Sequence, residues 1–248
     1  MAMTSVLIAF LAGLAVAEIA TFATSVYLHR ALSHRAIAMK PVLAWCCRAL
    51  LWITTGVRAR ERVAVHRKHH AFTDVEGDPH SPKLLGWMTV QFGNVGLYRK
   101  VARDSAQVRR YARDLPADRW DRVLFDHSFV GLAIGIGIAI TVLGPWVGLL
   151  AAGFHTVIYL LLNAAVNAVT HTFGSRPHEN TATNLQWLAF LTMGEGLHNN
   201  HHAAPTSAKF ALAKGEIDPS WPAIALATRL HWMTIRHTAV KLKHPVAA

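Results

Sequence analysis

Sixteen of the 248 residues are histidines, and many of them cluster. The clusters are HRALSH (His29, His34), HRKHH (His66, His69, His70), NAVTH (Asn167, His171) and HNNHH (His198, His201, His202). Residues three and four apart share one helix face, so in HRKHH and again in HNNHH all three imidazoles can point at one place. His29 and His34, five apart, call for a helix that ends between them. A lone histidine is ordinarily a surface or hydrogen-bonded core residue; His80, His127, His155, His178, His231, His237 and His244 carry no pattern and are assigned no role. The triplets with His29, His34 and His171 have no packing rationale and point to metal binding. A catalytic zinc site takes about three protein ligands and a structural one about four, so nine imidazoles are too many for one ion and suit two. Imidazole serves zinc, copper, iron and nickel alike, which leaves the element open.

The elements that position these rings are apolar. Hydrophobic types make up 52% of the chain and charged types 16%, with a mean hydropathy of +0.26, against about 25% charged in an ordinary soluble domain. That excludes a disordered, collagenous or typical cytosolic chain and points to a bilayer. Ser5 to Leu28 reads as one span, with Glu18 its only ionisable group and an intramembrane carboxylate by default a candidate for function. A signal peptide is the competing reading, but no basic segment precedes the apolar stretch. Gly144-Pro145 punctuates a second apolar block, giving a hairpin of Phe129 to Leu143 and Trp146 to Val166 whose first arm carries Gly131, Gly135 and Gly137 for close packing. In Ala36 to Gly56, Lys40, Arg48, Thr55 and Arg58 share one face, as in an amphipathic interfacial helix. Hydropathy alone also allows a span there.

The formal charge is +11. Arg58 to Lys68 holds five Lys/Arg and Tyr98 to Asp126 eight, and the positive-inside rule places both on the cytoplasmic side. That topology accounts for the basic excess without nucleic acid, for which no binding module is present. Cys46 and Cys47 are adjacent, which disfavours an ordinary disulfide and offers no zinc knuckle.

Taken in order, the boxes HxxxxH, HxxHH and HxxHH resemble the membrane fatty-acid desaturase family. Their flanks, HRKHHAFTDVEGDPHSP at His66 to Pro82, NAVTHTFGSRP from Asn167 and GEGLHNNHHAAP up to Pro205, are similar to its stearoyl-CoA (delta-9 acyl) branch. The resemblance covers roughly Val26 to Trp221. It implies a non-haem di-iron centre, with dioxygen as co-substrate, held by His29, His34, His66, His69, His70, His171, His198, His201 and His202, with Asn167 holding a metal-bound water. It also implies that all nine rings meet on one side of the membrane, so Ala36 to Gly56 lies in the interface or re-enters. The expected fold is therefore an all-α integral membrane protein of one domain over 1–248. It has about three transmembrane helices, an interfacial helix and a cytoplasmic helical cap carrying the histidines, in the inner or cell membrane of a bacterium.

By the same resemblance the activity is insertion of a double bond into a long acyl chain on coenzyme A, acyl carrier protein or a lipid. Electrons come from a separate donor such as ferredoxin or a cytochrome b5-type protein, since no CxxC or GxGxxG is present. Carboxylates expected to hold the second ring N–H of a ligand histidine are Glu61, Asp74, Asp78 and Glu195. Glu195, three residues before His198, is the one expected to act in catalysis; a solvated or capping carboxylate is the alternative. Arg58, Arg60, Arg99, Lys100, Arg103, Arg109 and Arg110 are available to a headgroup or an acidic donor, or are ordinary cytoplasmic-side charge. The chain departs from the family in having one apolar span before the first box where two are usual, and in Leu197 and Ala204, where aromatic residues are usual. The rival readings are a hydroxylase or carotenoid oxygenase using the same boxes, and a non-catalytic metal-binding or transport protein.

Overall fold

The computed structural model describes residues 2–237, 240 and 242; His244 lies outside them. Helix α1 (Ala2–Ala23) continues without a break into a π-helical segment, Thr24–Ser33, making 32 residues long and apolar enough to cross a membrane. Helix α8 (Pro145–Ala168) is the second such element and packs along α1. At about 1.5 Å per residue α8 extends about 36 Å, enough for a hydrocarbon core of about 30 Å, whereas α7 (Ser128–Leu143) extends only about 24 Å. Leu7, Leu11, Ile19, Phe129, Trp146, Leu150 and Val157 are exposed on these three helices, the outward apolar surface that lipid would cover.

The segment read as one interfacial helix over Ala36 to Gly56 is built differently. Ile37–Met39 forms a strand, β1, paired antiparallel with β2 (Met233–Ile235), and these are the only strands among the described residues. Pro41 disfavours helical backbone at Lys40, which is extended, so helix α2 (Pro41–Thr55) starts later than expected. At Gly56, whose φ of 63° suits glycine, the chain turns, and α3 (Ala59–Ala71) leaves at 89° to α2. Lys40 and Arg58 thus lie outside α2, and the shared face expected for them is not formed.

Helix α7 crosses α2 through its glycines. A Cβ at Gly131 would run into the Trp52 backbone and ring, and one at Gly135 into the Ile53 carbonyl, while Gly137 faces open space. Gly135→Ala is therefore expected to destabilise the protein by about 1–3 kcal/mol through overpacking. Gly137→Ala should leave the thermal midpoint in detergent unchanged; equal midpoints for both variants would refute this crossing.

The cap consists of short helices: α4 (Pro82–Leu85), α5 (Trp87–Ala102), α6 (Ser105–Tyr111), α9 (Gln186–Leu191), α10 (His198–Ala203) and α11 (Trp221–Arg229), with a second π-helical turn at Asp121–Phe125. Helix α5 leans on α8, Gln91 Nε2 donating to the Leu161 carbonyl at 3.0 Å, and turns Met88, Phe92 and Val95 outward. That amphipathic face has the i, i+4, i+7 spacing and is the apolar surface the sequence reading did not pick out. Much of the basic excess is structural. Arg48 clamps Asp118 and Asp121, Arg67 pairs with Asp114, and Arg60 donates to the Leu115 carbonyl, fixing the 112–126 connection to α2 and α3.

Candidate metal centre

The nine expected histidines converge into two groups. His29, His34, His66, His70 and His201 form one and His69, His171, His198 and His202 the other, the ligand atoms in each lying within 4.8 Å of one another. Helices α3 and α10 serve both groups in opposite senses. On α3, His66 and His70 belong to the five-histidine group and His69 to the four-histidine group; on α10, His198 and His202 belong to the four and His201 to the five. The reason is angular. At about 100° per residue, positions i and i+4 differ by about 40°, while i+3 lies about 60° to the other side of i. The triplets do not aim at one point, as their spacing alone allowed, but at two.

His29 and His34 meet through the π-helix. Its bonds run from residue i to i+5, and it ends at Ser33, between the two histidines as expected; the N–H of His34, its C-cap, donates to the His29 carbonyl at 3.1 Å, so residues five apart share a face. His171 sits in the turn after α8 and Asn167 within its last turn.

Three carboxylates hold the backs of these rings. Asp78 accepts from His69 Nδ1 at 3.0 Å, Asp74 from His171 Nδ1 at 2.8 Å, and Glu195 lies 2.5 Å from His29 Nδ1. This fixes the tautomer with the proton on Nδ1 and leaves Nε2 available to a metal ion. In His69 and His171 that Nε2 is buried with no hydrogen-bond partner. Glu61, also a candidate, pairs with Arg58 instead. Burial pushes the Asp74 and Asp78 carboxyls up, but hydrogen bonds from His171 and His69 outweigh it and hold both below the usual carboxylate range. At Glu195 burial likewise raises the pKa, and His29, Arg30 and Ser25 reverse it. Burial lowers His198, His201 and His202 well below the ordinary imidazole range, so they are neutral at pH 7, the form that binds metal.

The rings fit metal ions. Nε2 atoms face one another at 3.1 Å for His29 and His201, 3.0 Å for His70 and His201, 2.7 Å for His34 and His66, and 3.2 Å for His198 and His202. With metal–nitrogen bonds of about 2.0–2.1 Å, two nitrogens on one ion lie about 2.9–4.2 Å apart, a range that three of these pairs meet and that the His34–His66 pair falls just short of. Asn167 is buried and, with His29, Arg62, His66, Glu195 and His198, lines a cavity of about 20 Å3, room for a single water-sized molecule. Glu18 does not line it.

His80, Asn199, Asn200 and Phe210 at the site carried no readable signal. His80 stacks on His69 at 4.7 Å. In HNNHH, Asn199 donates to the His178 and Ala182 carbonyls and accepts the His178 N–H, clamping the 178–182 loop. Asn200 donates to the Phe210 carbonyl and to Glu216. Leu197 packs on Ala189 and Phe210, and the Phe210 ring lies 4.9 Å from His201 and 5.6 Å from His29.

The profile of the fatty acid desaturase family matches residues 4–233. The chain belongs to that family. It is 29% identical over 210 residues to the sn-1 stearoyl-lipid 9-desaturase of Synechocystis sp., covering 82% of this chain and 63% of that protein. It is 31% identical over 207 residues to the Delta-9 acyl-lipid desaturase 2 of Arabidopsis thaliana (78% and 63%). It is also 31% identical over 215 residues to the sn-2 palmitoyl-lipid 9-desaturase of Nostoc sp. (82% and 72%). The chain spans about three-fifths of the length of the first two of these relatives. In this desaturase-family chain, then, the buried histidine clusters are able to hold metal ions, with His29 and His34 at the end of one membrane-span candidate and His171 just past the end of the other.

Proposed function

We propose that the chain is a membrane fatty acyl desaturase that inserts a double bond into a long acyl chain carried on a lipid, using two iron ions, dioxygen and electrons from a separate donor protein. The observation that carries this is the sharing of α3 and α10 between two histidine groups, an arrangement with no use in a one-ion site. Two iron ions with dioxygen supply an oxidant strong enough to remove two hydrogens from neighbouring methylenes. The relatives named for acyl-lipid desaturation favour a lipid-linked substrate over an acyl thioester.

The protein's part is placement. Asp74, Asp78 and Glu195 keep His171, His69 and His29 in the Nε2-ligating tautomer. Asn167 offers its amide to a water in the small cavity, and Arg62 places a positive charge at the same wall. By the positive-inside rule the basic 58–68 and 98–126 segments favour the cytoplasmic side for the groups, where a ferredoxin or cytochrome b5-type donor would reach them.

The test is expression in a host lacking unsaturated fatty acids, with lipid class and double-bond position read by mass spectrometry. New alkenes on membrane lipids are expected; hydroxylated lipids without alkenes would replace this reading by an oxygenase. Glu195→Gln, which weakens the hold on His29, should lower metal affinity about 10–100-fold. Unchanged metal content and turnover would remove Glu195 from that role.

A further inference from the structure

Two cavities open on the histidine groups, and they differ in size and in charge. The first, of about 20 Å3, lies between the ends of α1 and α8, lined there by Thr21, Thr24, Leu162 and Asn163, with the Arg62 side chain at its wall. The second, of about 250 Å3, takes none of its lining from those two helices. It is walled by Thr73, just past α3, by the 178–181 segment and by the end of α10.

Two of the expected ligands line this larger cavity, His70 from the five-histidine group and His202 from the four. Their rings stack at 4.3 Å with 13° between the planes, so whatever enters there meets a ring of each group at once. The wall also carries His178 and Glu179. Glu179 is exposed, and His178 Nδ1 is buried without a hydrogen-bond partner. Imidazole and carboxylate are both ligand types that a divalent transition ion accepts. No lysine or arginine is among the residues lining this cavity. Asn199 fixes the segment through its backbone, accepting the His178 N–H at 2.8 Å and donating to the His178 carbonyl at 3.0 Å, which leaves the His178 ring out of the clamp.

We infer that the larger cavity is the port through which divalent metal ions reach and leave both histidine groups, with Glu179 and His178 as transient ligands in its wall. Electrostatics choose between the two openings. The Arg62 guanidinium repels a dication at the narrow cavity and Glu179 draws one to the wide cavity, and a cleft of one sign changes entry rates by about 10–1,000-fold. Size points the same way. Water occupies about 30 Å3 in the liquid, so the wide cavity has room for an ion that keeps several waters and the narrow one does not. Inside, the ion exchanges water for His70 or His202, and either group can be filled from the same door. The inference rests on the di-iron reading above.

The test is anaerobic exchange of the iron bound to the full chain for isotopically enriched ferrous iron in solution, read by mass spectrometry of the metal. A charge in the wall of the port changes the barrier in both directions and leaves the bound state as deep as before. Glu179→Arg should therefore exchange at least about tenfold more slowly than wild type while still holding two ions. Glu179→Gln should fall between the two, and His178→Phe, which keeps a ring without a ligating nitrogen, should also slow exchange. Exchange in Glu179→Arg as fast as in wild type overturns the port and leaves the di-iron reading standing. Faster exchange in Arg62→Leu with the Glu179 variants unchanged also overturns it, assigning passage to the narrow cavity. Loss of an ion from Glu179→Arg overturns it as well, by making Glu179 part of the permanent site. Fewer than two irons per wild-type chain overturns the di-iron reading and this inference with it.

Discussion

His69→Ala should reduce the metal content of the purified protein from two ions per chain to one or fewer and bring double-bond formation to background. His69 is fully buried, its Nδ1 is taken by Asp78, and its Nε2 has no hydrogen-bond partner other than what the four-histidine group would hold. Removing it leaves three rings in that group and frees a buried carboxylate beside them, so a ligand and a local charge balance are lost together. His155→Ala is the matched control. Its ring is also buried, but its Nε2 bonds the Thr54 carbonyl at 2.7 Å, joining α8 to α2. That variant should lose stability while keeping both ions. The measurement is metal analysis by mass spectrometry beside product analysis; two ions and full turnover in His69→Ala would sink the ligand assignment.

Arg30→Leu should be the most destabilising single change outside the ligands, by about 3–5 kcal/mol, the usual cost of stranding a buried charge. The guanidinium is inaccessible to solvent and pairs with Asp218, whose side chain is equally buried. Without it, Asp218 keeps only the Phe210 and Ser220 backbone N–H groups, and Phe210 loses the cation over its ring. Arg30→Lys retains the charge but not the planar fork, so it should recover part of the loss. Thermal unfolding in detergent reads both; a midpoint for Arg30→Leu within a degree of wild type would mean that the pair stabilises nothing.

The histidine boxes were legible because spacing on a helix is a local property: HRKHH and HNNHH show which residues can share a face without knowledge of any partner. Spacing did not reveal which ring joins which group, since that depends on how α3 and α10 are set against each other. The π-helix escaped for a related reason. Nothing in TSVYLHRALS forbids an α-helix, and it is the meeting of His29 and His34 with rings from other elements that accompanies the wider turn. Asp74 and Asp78 were readable as candidates from DVEGDPHSP, yet only the fold distinguishes them from Glu61, which Arg58 claims. The strand pair Ile37–Met39 with Met233–Ile235 joins segments nearly two hundred positions apart, beyond any periodicity. Asn199 and Asn200, which stand between the histidines of HNNHH, clamp two connecting loops, contacts that no local spacing announces.

The division of α3 and α10 between two groups bears on how such a protein matures. Because each helix carries rings for both positions, seating one ion restrains the backbone that must receive the other, and much of the ordering entropy of the second event is met in advance. Uptake would then be positively cooperative. In a cell short of iron, newly made chains would sort into finished and empty populations, with few stalled halfway.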